Sequence, residues 1–170
     1  MAIVYLSLGS NKGDRLGYIQ QATSLLNGFE NINVIQSSSF YETEPWGTDS
    51  QNWYVNAVVQ VSTSLLPTAL LKQCQKIESM LGRNREKEGK YGDRTIDIDI
   101  IFYGDKVISE EIDNLQLTIP HPLMHERAFA LVPLLEIDAE FIHPVFKKSI
   151  NDLYEDLENP EMVYLYGTRI

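Results

Sequence analysis

RNREKEGKYGDRTIDIDIIFY, residues Arg83 to Tyr103, is a basic segment that runs straight into an alternating stretch. From Thr95 onward the order Ile96, Asp97, Ile98, Asp99, Ile100 has period two, so a β-strand puts Asp97 and Asp99 on one face and the isoleucines on the other. The two carboxylates then stand roughly 6.5 Å apart and repel by about 2.5 kcal/mol at an effective dielectric near 20. A cation should be near: the upstream arginines and lysines, a divalent metal, or both. Mg²⁺ commonly binds through one or two carboxylates plus phosphate oxygens and waters, and this pair offers that set. The plain alternative is a half-exposed strand whose acids face water.

The basic segment favours the first reading. Of fourteen Lys and Arg, five (Arg83, Arg85, Lys87, Lys90, Arg94) fall within twelve residues of a chain with formal net charge -10. Three are arginines, whose planar fork suits a two-pronged grip on phosphate. Gly82, Gly89 and Gly92 and the lack of apolar periodicity read as a loop. A phosphate-binding loop feeding a metal-binding strand is one reading; a solvated charged loop is the other.

Whole-chain properties narrow the classes. The 170 residues, 44% apolar, suit one globular domain over 1–170 that buries a core without staples. A pI near 4.7 argues against a nucleic-acid binder, which needs a broad basic surface. Cys74 is the only cysteine, so no internal disulfide or thiolate zinc cluster can form, and a reducing cytoplasm fits. No apolar run is long enough to span a bilayer, and no targeting segment is evident.

Taken in order, Ala2 to Leu8 reads as a buried strand. The turn from Gly9 to Asp14 follows, with Asp14 capping a helix that carries Leu16, Ile19, Ala22, Leu25 and Leu26 on one face. This turn lacks the spacing of a P-loop. Ile32 to Phe40 and Tyr54 to Ser62 read as strands, joined by a loop in which Trp46 stands among polar residues. Such loops often bind planar ligands. Asn56, on an apolar strand, suits a heterocycle edge or else ties down a neighbouring loop. Pro67 opens a second helix, with Leu70, Leu71, Cys74, Ile77 and Leu81 as its stripe.

With the Asp97/Asp99 strand the order becomes strand, helix, strand, strand, helix, strand. That is the α+β, ferredoxin-like βαββαβ arrangement, an antiparallel sheet with both helices on one side, over about 1–103. The extension 104–170 adds a short strand near Val107, an extended piece around His121, a helix from Glu126 to Leu135 interrupted by Pro133, a short helix near Ile150 to Leu157 and a strand at Met162 to Tyr166. His121 and His125 are four apart, but Pro122 and the missing glutamate weigh against zinc. His121 could instead donate to phosphate or ribose, or simply pack. Nothing in the tail suggests chemistry.

Six segments, in this order, resemble one family: LGSNKGDR, FYETEPWG, YVNAVV, IESMLGR, GDRTIDIDIIFYG and TIPHPLMHERAFALVPLLEI. They are similar to the 6-hydroxymethyl-7,8-dihydropterin pyrophosphokinases of folate biosynthesis, over about the first 140 residues. The resemblance implies pyrophosphate transfer from ATP to the pterin alcohol, with AMP leaving, and two Mg²⁺ ions on Asp97 and Asp99. It implies phosphate contacts from Arg83 and Arg94, and a pterin stacked between Tyr54 and Phe129 with its edge bonded by Asn56 and by Thr43, Glu44, Pro45 and Trp46. Nucleotide contacts are implied at Gln75, Glu78, Arg85, Tyr91, Ile98, Thr118, His121 and Arg127. ATP and the pterin are the expected partners, with no nucleic acid, membrane or obligate protein partner. Tyr91 stands where the family commonly has tryptophan, and Asp93 where a small residue or proline is usual. A sensor module, or another phosphotransferase or phosphatase using the same metal pair, would share the fold, which does not by itself fix function.

Overall fold

The computed structural model describes residues 1–89 and 92–169, so the expectations for Lys90 and Tyr91 lie outside the described residues. Strand β1 (Ala2–Ser10) lies between β4 (Tyr54–Thr63) and β5 (Asp97–Tyr103), antiparallel to both. The far side of β4 is shared by β2 (Ile32–Ser37) and β3 (Tyr41–Thr43), and β3 in turn pairs with the C-terminal β8 (Val163–Leu165). The strand expected over 32–40 is thus broken in two. At the break Ser38 donates its N–H to Val58 O (2.8 Å) and accepts Val58 N on Oγ (2.9 Å), so a side chain replaces one rung of the ladder.

Helices α1 (Arg15–Gly28) and α2 (Pro67–Met80) cover one face of the sheet. Asp14 caps α1 by accepting Gly17 N at 3.1 Å, and Pro67 opens α2, where its missing N–H costs no helical bond. Their core holds Val4, Leu6, Leu8, Ile19, Leu26, Leu70, Ile77, Ile98 and Ile100. A second core on the opposite face holds Tyr5, Val58, Phe102, Met124, Leu131, Leu134 and Ile150. It is closed by α4 (Ala128–Asp138) and α5 (Ile150–Glu155). Helix α4 runs through Pro133 instead of stopping there. Proline removes one ladder bond, at a cost of about 3 kcal/mol. Burial of Leu131 and Leu134 at about 2 kcal/mol each, with Ala128, Ala130 and Pro133 also buried, outweighs it.

Pairing between β1 and β5 shifts between Tyr5 and Leu6, leaving Ile101 as an extra residue opposite neither. Its free carbonyl accepts His121 N at 3.0 Å. A bulge in the strand that carries Asp97 and Asp99 therefore also anchors His121. The hairpin of β6 (Ile108–Ile112) and β7 (Leu115–Ile119) turns on Asp113 and Asn114, both at positive φ, as a tight two-residue turn requires. Between α2 and β5 the basic segment forms one helical turn, α3 (Arg85–Glu88), capped by Asn84. No helix among the described residues is long and apolar enough to cross a membrane.

Candidate active site

Asp97 and Asp99 pair with Gly9 and Ser7 of β1, on the sheet face opposite Ile98 and Ile100. Asp97 is gripped from both sides. Arg83 Nη1 lies 2.7 Å from its Oδ1, and Arg94 Nη1 lies 2.6 Å from its Oδ2. Burial alone would raise this carboxyl, but Arg94 and Arg83 outweigh burial and hold it below the ordinary range. Asp99 goes the other way. Burial and then the neighbouring Asp97 charge push it up to about 7, against the pull of Arg127 and Arg94.

Arg83 is set by Glu78 of α2. Glu78 is 2% exposed, and its Oε2 accepts Arg83 Nη1 at 2.9 Å and Ile98 N at 2.7 Å, while Oε1 accepts Arg85 Nη2 at 2.7 Å. One buried acid thus fixes α2 to β5 and holds two arginines. Ile98 meets this network through its backbone, its side chain being core.

Beside the carboxylates opens a cleft lined by Ser7, Gly9, Tyr54, Asn56, Trp46 and Phe129, among others. Asn56 Nδ2 donates to Thr43 Oγ1 at 2.6 Å, both residues being buried. Gly9 is required here because a Cβ would collide with Asn56 Oδ1. The Arg127 guanidinium lies 4.8 Å from the Trp46 ring centroid and 5.4 Å from that of Phe129, within cation–π range of both.

The structure brings together at this cleft Arg94, Asp97, Asp99, Glu44, Trp46, Tyr54, Asn56, Arg127 and Phe129. Gln75, Glu78, Arg83 and Arg85 surround a separate depression with Ser79 and Leu115. Thr118 lies on the hairpin, accepting from Gln116 at 3.3 Å. His121 is held neutral, its pKa lowered to about 4 by burial and then by Arg127, and its Nδ1 accepts Leu123 N at 3.2 Å.

Sequence reasoning missed Ser7 and Gly9, although their period-two phase on β1 places them opposite the acids. It placed the tail helix and strand but missed what the tail touches. Glu161 Oε1 accepts Phe129 N at 2.9 Å, and Met162 exchanges two hydrogen bonds with Glu44, both at 2.9 Å. No local pattern announces those contacts.

Fold and site define a class: an α+β domain with paired carboxylates and arginines at one end of an antiparallel sheet, beside a cleft lined by Trp46, Tyr54 and Phe129. Residues 5–139 match the model of the 7,8-dihydro-6-hydroxymethylpterin-pyrophosphokinase (HPPK) family, and the chain belongs to that family. It is 43% identical over 152 residues to the 2-amino-4-hydroxy-6-hydroxymethyldihydropteridine pyrophosphokinase of Aquifex aeolicus, covering 89% of this chain and 90% of that protein. With the protein of the same name from Bacillus subtilis it shares 45% over 135 residues, covering 79% and 77%. The Plasmodium falciparum HPPK-DHPS structure with pteroate superimposes with a TM-score of 0.75 at 17% identity, covering 91% of this chain and 44% of that longer one, a likeness of fold.

Proposed function

We propose that the chain transfers the β,γ-diphosphate of ATP to the hydroxymethyl oxygen of 6-hydroxymethyl-7,8-dihydropterin, releasing AMP. The observation that carries this reading is the contiguity of the Asp97–Arg94 pair with the Asn56–Thr43 pair across one cleft. Family membership and the names of the bacterial relatives support it. Charge-gripping and ring-gripping groups share that wall, so a pterin hydroxymethyl group can meet a phosphate there.

Asp97 and Asp99 fit Mg²⁺. They present hard oxygens on one strand face, where phosphate oxygens and waters would complete the coordination shell. Bound there, two Mg²⁺ ions would neutralise the triphosphate and make its β-phosphorus more electrophilic.

The protein's own groups position and neutralise. Asn56 and the segment Thr43 to Trp46 hold the pterin edge, and Tyr54 and Phe129 take its faces. Arg94 meets charge on the transferring group, with Arg83 behind it. Gln75, Arg85, Tyr91, Thr118, His121 and Arg127 belong to the nucleotide side. The hydroxymethyl oxygen attacks the β-phosphorus in line, the bond from that phosphorus to the α–β bridging oxygen breaks, AMP keeps the bridging oxygen and the hydroxyl proton passes to solvent. No covalent enzyme intermediate is needed; orientation and electrostatics carry the step. We read the architecture as a ferredoxin-like core within a single domain, its C-terminal additions completing the pterin wall.

The test is a product assay with ATP, Mg²⁺ and the pterin alcohol, separating AMP from ADP, with EDTA as control. AMP that requires both pterin and metal supports the reading. ADP, free phosphate or no turnover from folded protein overturns it.

A further inference from the structure

Three loops meet at one carboxylate outside the cleft. Asp93 Oδ1 accepts Asn11 Nδ2 at 3.0 Å and Ser50 Oγ, and Oδ2 accepts Asn52 Nδ2 at 2.7 Å. Asn11 directly follows β1, while Ser50 and Asn52 belong to the segment between β3 and β4 that also carries Trp46. Asp93 directly precedes Arg94. These donors are 41 to 82 positions away in sequence, so the cluster is no local turn.

Asn11 then passes the connection on. It is 4% exposed, its Oδ1 accepts Arg94 N at 2.7 Å, and its own N–H donates to Arg94 O at 3.1 Å. The Arg94 backbone is thus held on both sides by a residue that Asp93 itself holds. From there the guanidinium reaches Asp97 at 2.6 Å. Hydrogen bonds to an ionised acceptor are about twice as strong as neutral ones, so a carboxylate suits this junction better than an amide.

We propose that Asp93 is a positioning residue, a latch that fastens the loop after β1 and the Trp46-bearing segment to the backbone of Arg94. The two sides of the cleft then take up their reactive geometry together. This inference rests on the pyrophosphoryl-transfer reading, and Asp93 touches no reacting atom.

The test reverses one bond of the latch. Asp93→Asn takes the charged acceptor from the junction and puts an amide N–H in its place, while adding Asn52→Asp restores a charged acceptor opposite that N–H. Asp93→Asn should lower kcat of pterin-dependent AMP formation about tenfold, with both KM values within about threefold and the melting temperature within a few degrees. The Asp93→Asn/Asn52→Asp double variant should return kcat to within about threefold of the wild type. A double variant no better than the product of its two single variants overturns the latch, as does Asp93→Ala with wild-type kcat. A second arm needs no catalysis: in Asp93→Ala the Asn11 and Arg94 amides should exchange hydrogen at least about tenfold faster. Unchanged protection overturns the latch. A wild-type protein that makes no AMP overturns the pyrophosphokinase reading alone, and the exchange arm still decides the latch.

Discussion

Arg83 and Asp97 are joined at 2.7 Å, and the same Arg83 Nη1 also lies 2.9 Å from Glu78 and 3.2 Å from Ile96 O. The arginine is 4% exposed and keeps a charged partner if either acid is lost. Asp97 can therefore be removed with the fold retained. Asp97→Ala should lower turnover on the order of 10³-fold, because the phosphate-facing charge pattern loses its centre. Steady-state AMP formation beside circular dichroism checks both halves. Turnover within tenfold of wild type from folded protein would count against the assignment.

Glu78 has the opposite profile. It satisfies Arg83, Arg85 and Ile98 N at once from a buried position. Glu78→Ala leaves an amide of β5 unpaired and Arg83 with Asp97 as its remaining acid, which should cost about 2 kcal/mol, or about 6 °C in melting temperature for a chain of this size. Glu78→Gln, which can still accept from Ile98, should lose roughly half as much. Thermal unfolding monitored at 222 nm distinguishes the two.

Asp99 should trade stability for function. Its carboxyl sits at about 7, raised first by burial and next by Asp97, against 3.8 for the free group. A raised carboxyl contributes stability fully present below about pH 4 and lost as pH rises through 7. Measured as a difference, Asp99→Asn should therefore gain on wild type over that window. The gain should reach about 2 kcal/mol at pH 8 in EDTA, allowing for the partial exposure of the group. The same variant should be inactive. Urea unfolding at pH 4.5 and pH 8 checks the sign, and equal differences at both would contradict it.

Gly9→Ala tests the ring side alone. The new methyl collides with Asn56 Oδ1 and must displace the amide that donates to Thr43. Pterin affinity should fall at least about tenfold, the cost of disturbing one or two buried hydrogen bonds, while ATP affinity stays within about twofold. Calorimetric titration with each ligand separately reads the contrast.

What the sequence displays well is what short-range physics decides. The phase of Asp97 and Asp99 follows from strand geometry, the Asp14 cap from orphaned helix N–H groups, and the opening of α2 from Pro67. Less visible is what long-range contact decides. Glu78 reads as an acid beside an apolar stripe, and only the position of Arg83 and β5 turns it into an anchor. Asp93 reads as one more charge in a charged loop until Asn11, Ser50 and Asn52 are brought to it. Pro133 reads as a break because the compensating core across the sheet belongs to other parts of the chain.

The last strand carries a consequence for biosynthesis. The match to the family model ends at residue 139, yet Glu161 holds Phe129, Met162 is tied to Glu44, and β8 closes the open side of β3. A ribosome releases these tail residues after every cleft-lining side chain has been made. The nascent chain therefore presents every cleft-lining side chain before the strand that closes this edge of the sheet has been made.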